Sequence, residues 1–177
     1  MARIRFTFSP LKARAALHWM VRELPGVDLH TVLKTCYFAD KEHLNKHNRP
    51  IFGATYKAMR FGPVPIEIYE MAKSDPLWLP ELESDRYPWR LDGYRLSLLD
   101  NSDPDMSVLS KSDISALEKA FKLSRSLTFN GRTSLTHGND WQAAELGTMR
   151  YEDMLEETKD KESRIEYLRE SGRYIKL

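Results

Sequence analysis

The stretch Gly62-Pro63-Val64-Pro65 constrains the fold of this chain more than any other, because two prolines of fixed φ come after a glycine with no side-chain restriction. No helix can run through it, so the segments on either side of Gly62 and Pro65 must be separate elements set at an angle. Pro25-Gly26, Arg49-Pro50 and a Pro- and Trp-rich stretch from Asp75 to Pro88 break the chain in the same way. The 177 residues are 41% hydrophobic, enough for one core, so a single domain is expected.

Between the breaks, periodicity suggests the elements. Arg3 to Phe8 alternates, with Ile4, Phe6 and Phe8 opposite Arg3, Arg5 and Thr7, and predicts a short strand. Ser9-Pro10 opens a helix that carries Ala13, Leu17, Met20 and Leu24 and stops at Pro25-Gly26. Asp28 caps a second helix with an apolar stripe of Leu29, Val32, Leu33, Cys36 and Tyr37 and a solvent-facing end from Lys41 to Asn48. Ala54 to Phe61 has room for two helical turns at most, and Pro65 opens a further helix reaching Lys73.

The clearest β signal brackets Asp92-Gly93. Tyr87, Trp89 and Leu91 alternate before it and Tyr94, Leu96 and Leu98 after it, and the pair suits a type I′ hairpin turn. Ser110 and Asp113 form a capping-box start, with Leu109 and Ile114 as a staple, for a helix running to about Ser126. Thr133 to Ala144 reads as two short helical pieces joined near Gly138-Asn139 and anchored by Trp141. After Met149 the chain carries seven basic and eight acidic residues, the composition of a solvated helix or frayed tail. The expected fold is mainly α (α+β): a compact helical core with a small antiparallel β-hairpin, for which a winged-helix arrangement is one option. Residues 1–149 would form the domain and 150–177 a charged helical extension.

Several functions find little support. With 27 Lys and Arg against 26 Asp and Glu, a formal charge of +1 gives no general field for nucleic acid, and only Arg3, Arg5, Lys12 and Arg14 make a basic cluster. The start of the chain has no apolar block of the length a signal peptide or membrane span needs. With a single cysteine, Cys36, no intramolecular disulfide can form, and a reducing cytoplasm is the expected setting. His43 and His47 stand four apart, but the order Glu-His-Leu-Asn-Lys-His lacks what a zinc protease needs, so no metal and no cofactor is expected. Gly53, Gly62 and Gly93 are isolated and make no phosphate loop. His137 with Asp140 would be the pair for a hydrolase, yet a capping or core-linking histidine beside Trp141 accounts for it better than a general base, and no catalytic residue is assigned.

The segment from Arg49 to Arg60 stands apart. Arg49, Tyr56, Lys57, Met59 and Arg60 lie among turn-forming residues, and Arg, Tyr and Met are enriched where one protein buries another. These five are the candidate partner-binding residues, with a buried role for Tyr56 and Met59 as the alternative.

Read as one block, Tyr37-Phe38-Ala39-Asp40, then Arg49-Pro50-Ile51 and Gly53, then Tyr56-Lys57-Ala58-Met59, then Gly62-Pro63-Val64-Pro65, resembles the Panacea domain, the SocA-like antitoxin family with its phage-associated members. Ser134-Leu135-Thr136-His137 with Trp141 extends the resemblance to roughly residues 8 to 145. His47-Asn48 stands where the family often has tyrosine-glycine, and Asn48 tolerates the left-handed conformation that glycine would supply. The resemblance implies a non-enzymatic antitoxin of a type II toxin–antitoxin system that neutralises a cognate, often translation-blocking, protein toxin by direct binding. In some members it also implies an adaptor that delivers the toxin to a protease. It makes Tyr37, Phe38, Ala39, Asp40, Pro50, Gly53, Gly62, Pro63, Val64, Pro65, His137 and Trp141 the fold-defining motif. A DNA-binding autoregulator is the alternative function.

Overall fold

The computed structural model describes residues 2–177. Eight α-helices and two antiparallel two-stranded sheets are present among the described residues: α1 (Pro10–Glu23), α2 (Leu29–His47), β1 (Tyr56–Met59), β2 (Gly62–Pro65), α3 (Ile66–Ala72), β3 (Trp89–Asp92), β4 (Arg95–Leu98), α4 (Lys111–Ser126), α5 (Phe129–Thr136), α6 (Asn139–Ala143), α7 (Tyr151–Met154) and α8 (Lys161–Ser171). The chain is mainly α with small β-hairpins.

α2 is the central element, and α4 is its principal helical partner. Asp28 caps α2 by accepting the Thr31 amide at 2.9 Å, and Asn48 closes it in the left-handed region at φ 55°. α4 starts with a complete capping box, in which Ser110 and Asp113 each accept the other's backbone N–H. Its Leu117 and Phe121 are buried, and the Ser124 hydroxyl donates to the Thr31 carbonyl of α2 at 3.0 Å.

The expected apolar stripe of α2 is buried as read, with Cys36 fully enclosed and its thiol pushed well up by burial. The C-terminal end of α2 is more enclosed than expected, since His43 and Leu44 are buried there.

Ala54 to Phe61 contains no helical turn. Tyr56–Met59 is a strand, paired with Gly62–Pro65 in the register Tyr56↔Pro65 to Met59↔Gly62. Tyr56 and Ala58 face inward while Lys57 and Met59 face out, the period of a half-buried strand. Gly62–Pro65 is therefore a strand leading into α3 rather than a corner between two helices.

Arg3 to Phe8, expected as a strand, pairs with none. It keeps the alternation, Ile4 buried and Arg3, Arg5 and Thr7 exposed, and is held by the Ile4 amide donating to Glu152 at 3.0 Å. The hairpin at Asp92-Gly93 forms one residue later than read. Asp92 pairs with Arg95, so Gly93 and Tyr94 are the turn residues, and of these only Gly93 has positive φ (62°). A type I′ turn would need both.

Residues 150–177 are not a frayed tail. Met154, Leu155, Ile165 and Leu168 are buried in the same core as α1 and α2. The Arg164 guanidinium bonds Asn48 Oδ1 at 2.8 Å and the Leu44 and Asn45 carbonyls at 3.1 and 3.0 Å, which covers the end of α2. Tyr151 donates to the Ala54 carbonyl at 2.6 Å.

Candidate functional site

The β1–β2 hairpin is fixed from behind by one buried carboxylate directly and by a second through Trp141. Asp40 on α2, fully buried, accepts the Ile51 and Phe52 amides on Oδ1 at 2.7 and 3.0 Å and the Tyr56 hydroxyl on Oδ2 at 2.9 Å. Burial pushes its carboxyl up to about 7, against the pull of these donors. Asp140, at the start of α6, accepts the Tyr37 hydroxyl at 2.5 Å, the Lys41 ammonium at 3.1 Å and the Trp141 amide at 3.0 Å. Trp141 stacks on His137 with ring centroids 3.7 Å apart and donates its indole N–H to the Met59 carbonyl at 2.9 Å. A chain of side chains from α2, α6 and His137 between α5 and α6 thus grips the hairpin on its inner side.

The outer side of the hairpin carries exposed apolar side chains beside the cations Lys57 and Arg60. Met59 is 41% and Phe61 48% exposed, and Phe61 meets Phe129 of α5 edge-on at 5.2 Å. Beside them lies a groove of about 350 Å³. Leu29, Leu33 and Val64 line it, as does Tyr94 of the second hairpin. Two titratable groups on α2 also line it. Burial drives His30 down to about 4, with the Lys34 charge adding to the effect. Burial likewise drives Lys34 down to about 7, with Arg132 adding. The Lys34 ammonium donates to the Pro63 carbonyl at 2.7 Å. His30 Nδ1 accepts from Arg132 Nε at 3.0 Å, which leaves the Nε2 proton to donate to the Phe61 carbonyl at 3.2 Å.

A third cluster surrounds Asp113. Burial alone would raise this carboxyl, but Lys12 at 2.6 Å and Arg49 at 3.0 Å hold it below the usual range. His43 is buried beside it with both ring nitrogens engaged. Nδ1 donates to the Arg49 carbonyl at 2.8 Å, and Nε2 accepts from Ser112 Oγ at 2.9 Å. Burial lowers its basicity.

The candidate partner-binding residues therefore separate. Lys57, Met59 and Arg60 are exposed on the hairpin, whereas Arg49 is tied to Asp113 and Ser110, and Tyr56 is 2% exposed with its hydroxyl on Asp40. Tyr56 is a core residue, not a contact residue. Of the motif residues, Tyr37, Ala39, Asp40, Pro50, Gly53, Gly62, Pro63, Val64 and Pro65 are buried, while Phe38, His137 and Trp141 are half-buried. Gly53 and Gly62 both have positive φ, 70° and 103°. Of the N-terminal cations, Lys12 is committed to Asp113 and Arg14 to the Leu82 carbonyl, so the basic cluster does not form as one patch. No helix among the described residues is long and apolar enough to cross a membrane.

His30, Lys34, Phe61, Tyr94 and Phe129 belong to the site without being among the candidates expected from the sequence. For Phe61 the signal was present, a large apolar residue between Arg60 and Gly62 at a turn. Lys34, next to Leu33 in the α2 stripe, gave none.

The family model described as antitoxin SocA-like, Panacea domain, matches residues 32–142, from the first turns of α2 to α6. The chain belongs to that family. The matched span of this SocA-like protein contains both buried carboxylates, the whole β1–β2 hairpin and the His137–Trp141 stack, while α1, α7 and α8 lie outside it. No curated protein and no solved structure matches the chain.

Proposed function

We propose that this SocA-like protein is the antitoxin of a type II toxin–antitoxin pair, acts in the cytoplasm, and neutralises its cognate protein toxin by direct binding, without catalysis. The binding face is the outer side of hairpin β1–β2 with the adjoining rim of α5. The observation that carries this reading is the contrast between the two sides of the hairpin. The inner side is held by Asp40 and by Trp141, itself bonded to Asp140, and the outer side leaves Met59 and Phe61, with Phe129 of α5, exposed together with Lys57 and Arg60. Large apolar side chains on a rigid support, rimmed by cations, are what a protein contact surface uses, because little conformational freedom is lost when it is covered.

The test is co-expression of the neighbouring reading frame with and without this chain. Growth arrest by the neighbour alone, relieved by the wild-type chain and not by the Lys57→Glu/Arg60→Glu double variant at unchanged melting temperature, is the expected result. Rescue at wild-type level by the double variant together with Phe61→Ser would remove this face from the mechanism.

A further inference from the structure

The groove beside the hairpin has a chemistry more specific than an apolar patch. Its walls are aliphatic and aromatic, yet Lys34 and Arg60 stand among the lining residues and no Asp or Glu does. Lys34 is 1% exposed, and the acceptor its ammonium bonds is the Pro63 carbonyl, whereas an ammonium carries three donors. His30 cannot complete the set, because Nδ1 takes the Arg132 proton and the Nε2 proton goes to Phe61. Room for the ammonium at this end of the groove depends on Gly62. A Cβ there would lie 2.9 Å from Lys34 Cε and 3.2 Å from Nζ.

A cation in such surroundings is costly to hold charged and gains most from an anion that arrives with its own apolar cover. Resting on the reading that the partner is a protein, we propose that the groove seats a short apolar segment of that partner bearing one carboxylate, which Lys34 receives while Phe61, Phe129 and Tyr94 close over the neighbouring apolar side chain. Arg60, at the rim, adds to the attraction from the solvent side.

The experiment is a selection from a pool of N-acetylated, C-amidated hexapeptides in which two positions are apolar and one is varied among Asp, Glu, Asn, Gln, Lys and phosphoserine, using the full chain as bait. The expected result is enrichment of Asp and Glu over Asn and Gln. Acid peptides should lose about tenfold in affinity with Lys34→Met, as expected for a lost charge-assisted hydrogen bond, and the acid-to-amide ratio should fall to one. Phe61→Asp, at a half-exposed position lining the groove, should abolish binding with the melting temperature unchanged. An acid preference that survives Lys34→Met, an absent or lysine preference, or a selection dominated by phosphoserine overturns the proposal. The peptide result is independent of toxicity. If the neighbouring gene product proves harmless, the antitoxin reading falls while the groove chemistry is still scored, and a toxin neutralised normally by Lys34→Met removes the inference alone.

Discussion

The Tyr56 hydroxyl donates to Asp40 Oδ2 at 2.9 Å, while Oδ1 of the same carboxylate takes the amides of Ile51 and Phe52. One side chain of α2 thereby holds both the loop after the helix and the first strand of the β1–β2 hairpin. Asp40→Ala leaves those buried donors without an acceptor and is expected to cost about 3 kcal/mol or more. Asp40→Asn keeps an oxygen for the two amides and is expected to cost well under half of that. Chemical denaturation of the two variants separates them.

The same carboxyl predicts a pH dependence. Its folded value is raised from 3.8 to about 7, so the folded state holds a proton that the unfolded chain has already released, and the Asp40 contribution to stability falls as pH rises from about 4 to 7. His30, lowered from 6.5 to about 4, works in the opposite direction between those two values, since the unfolded chain then binds the extra proton. The two effects oppose below pH 6.5, so the raw curve is flattened. The difference between wild type and Asp40→Asn isolates the first, with a slope on the order of 1 kcal/mol per pH unit. A difference curve flat from pH 4 to 7 would contradict it.

Gly62 has φ 103°, and a Cβ there would press on Lys34 and on the Thr136 hydroxyl. Gly62→Ala is expected to destabilise by about 2 kcal/mol or more through strain and contact together. Gly93 has φ 62° with open space around it, so Gly93→Asn should cost less than about 1 kcal/mol. Thermal melts of the pair should show a clear gap.

Ile165 and Leu168 of α8 are 7% and 0% exposed. Leu168→Ala should cost about 3 kcal/mol, as for other fully buried leucines, and Arg164→Ala a smaller amount through the uncovered carbonyls of α2. If neutralisation by these variants is restored at lower temperature, α8 supports the fold and does not itself touch the partner.

Much of the helical frame was legible because its signals are local. The Asp28 cap, the Ser110/Asp113 capping box and the buried faces of α2 and α4 need only residues a few positions apart. The β1–β2 hairpin was not read, although Tyr56 and Ala58 alternate with Lys57 and Met59, because the prolines at 63 and 65 argue against a strand. Here they are tolerated since β2 pairs on one side only. α8 was hidden by having few apolar residues, two of which are nonetheless enclosed by segments far away in sequence. The groove had the weakest signature of all. Lys34 looks like an ordinary helical lysine until Gly62, Pro63 and Arg132 are brought around it by the tertiary fold.

The outer edge of β1 is not free. Lys57 bridges to Thr148, the Ala58 amide donates to the Gly147 carbonyl, and Met149 donates to the Tyr56 carbonyl, while the far edge of the sheet is β2, where Pro63 and Pro65 offer no N–H. The hairpin thus displays its side chains without a backbone ladder that a second copy could extend, which closes the commonest route from an exposed strand to a fibre. An exposed apolar face can therefore stay uncovered without strand-to-strand pairing, and selectivity for whatever covers it has to come from the side chains alone.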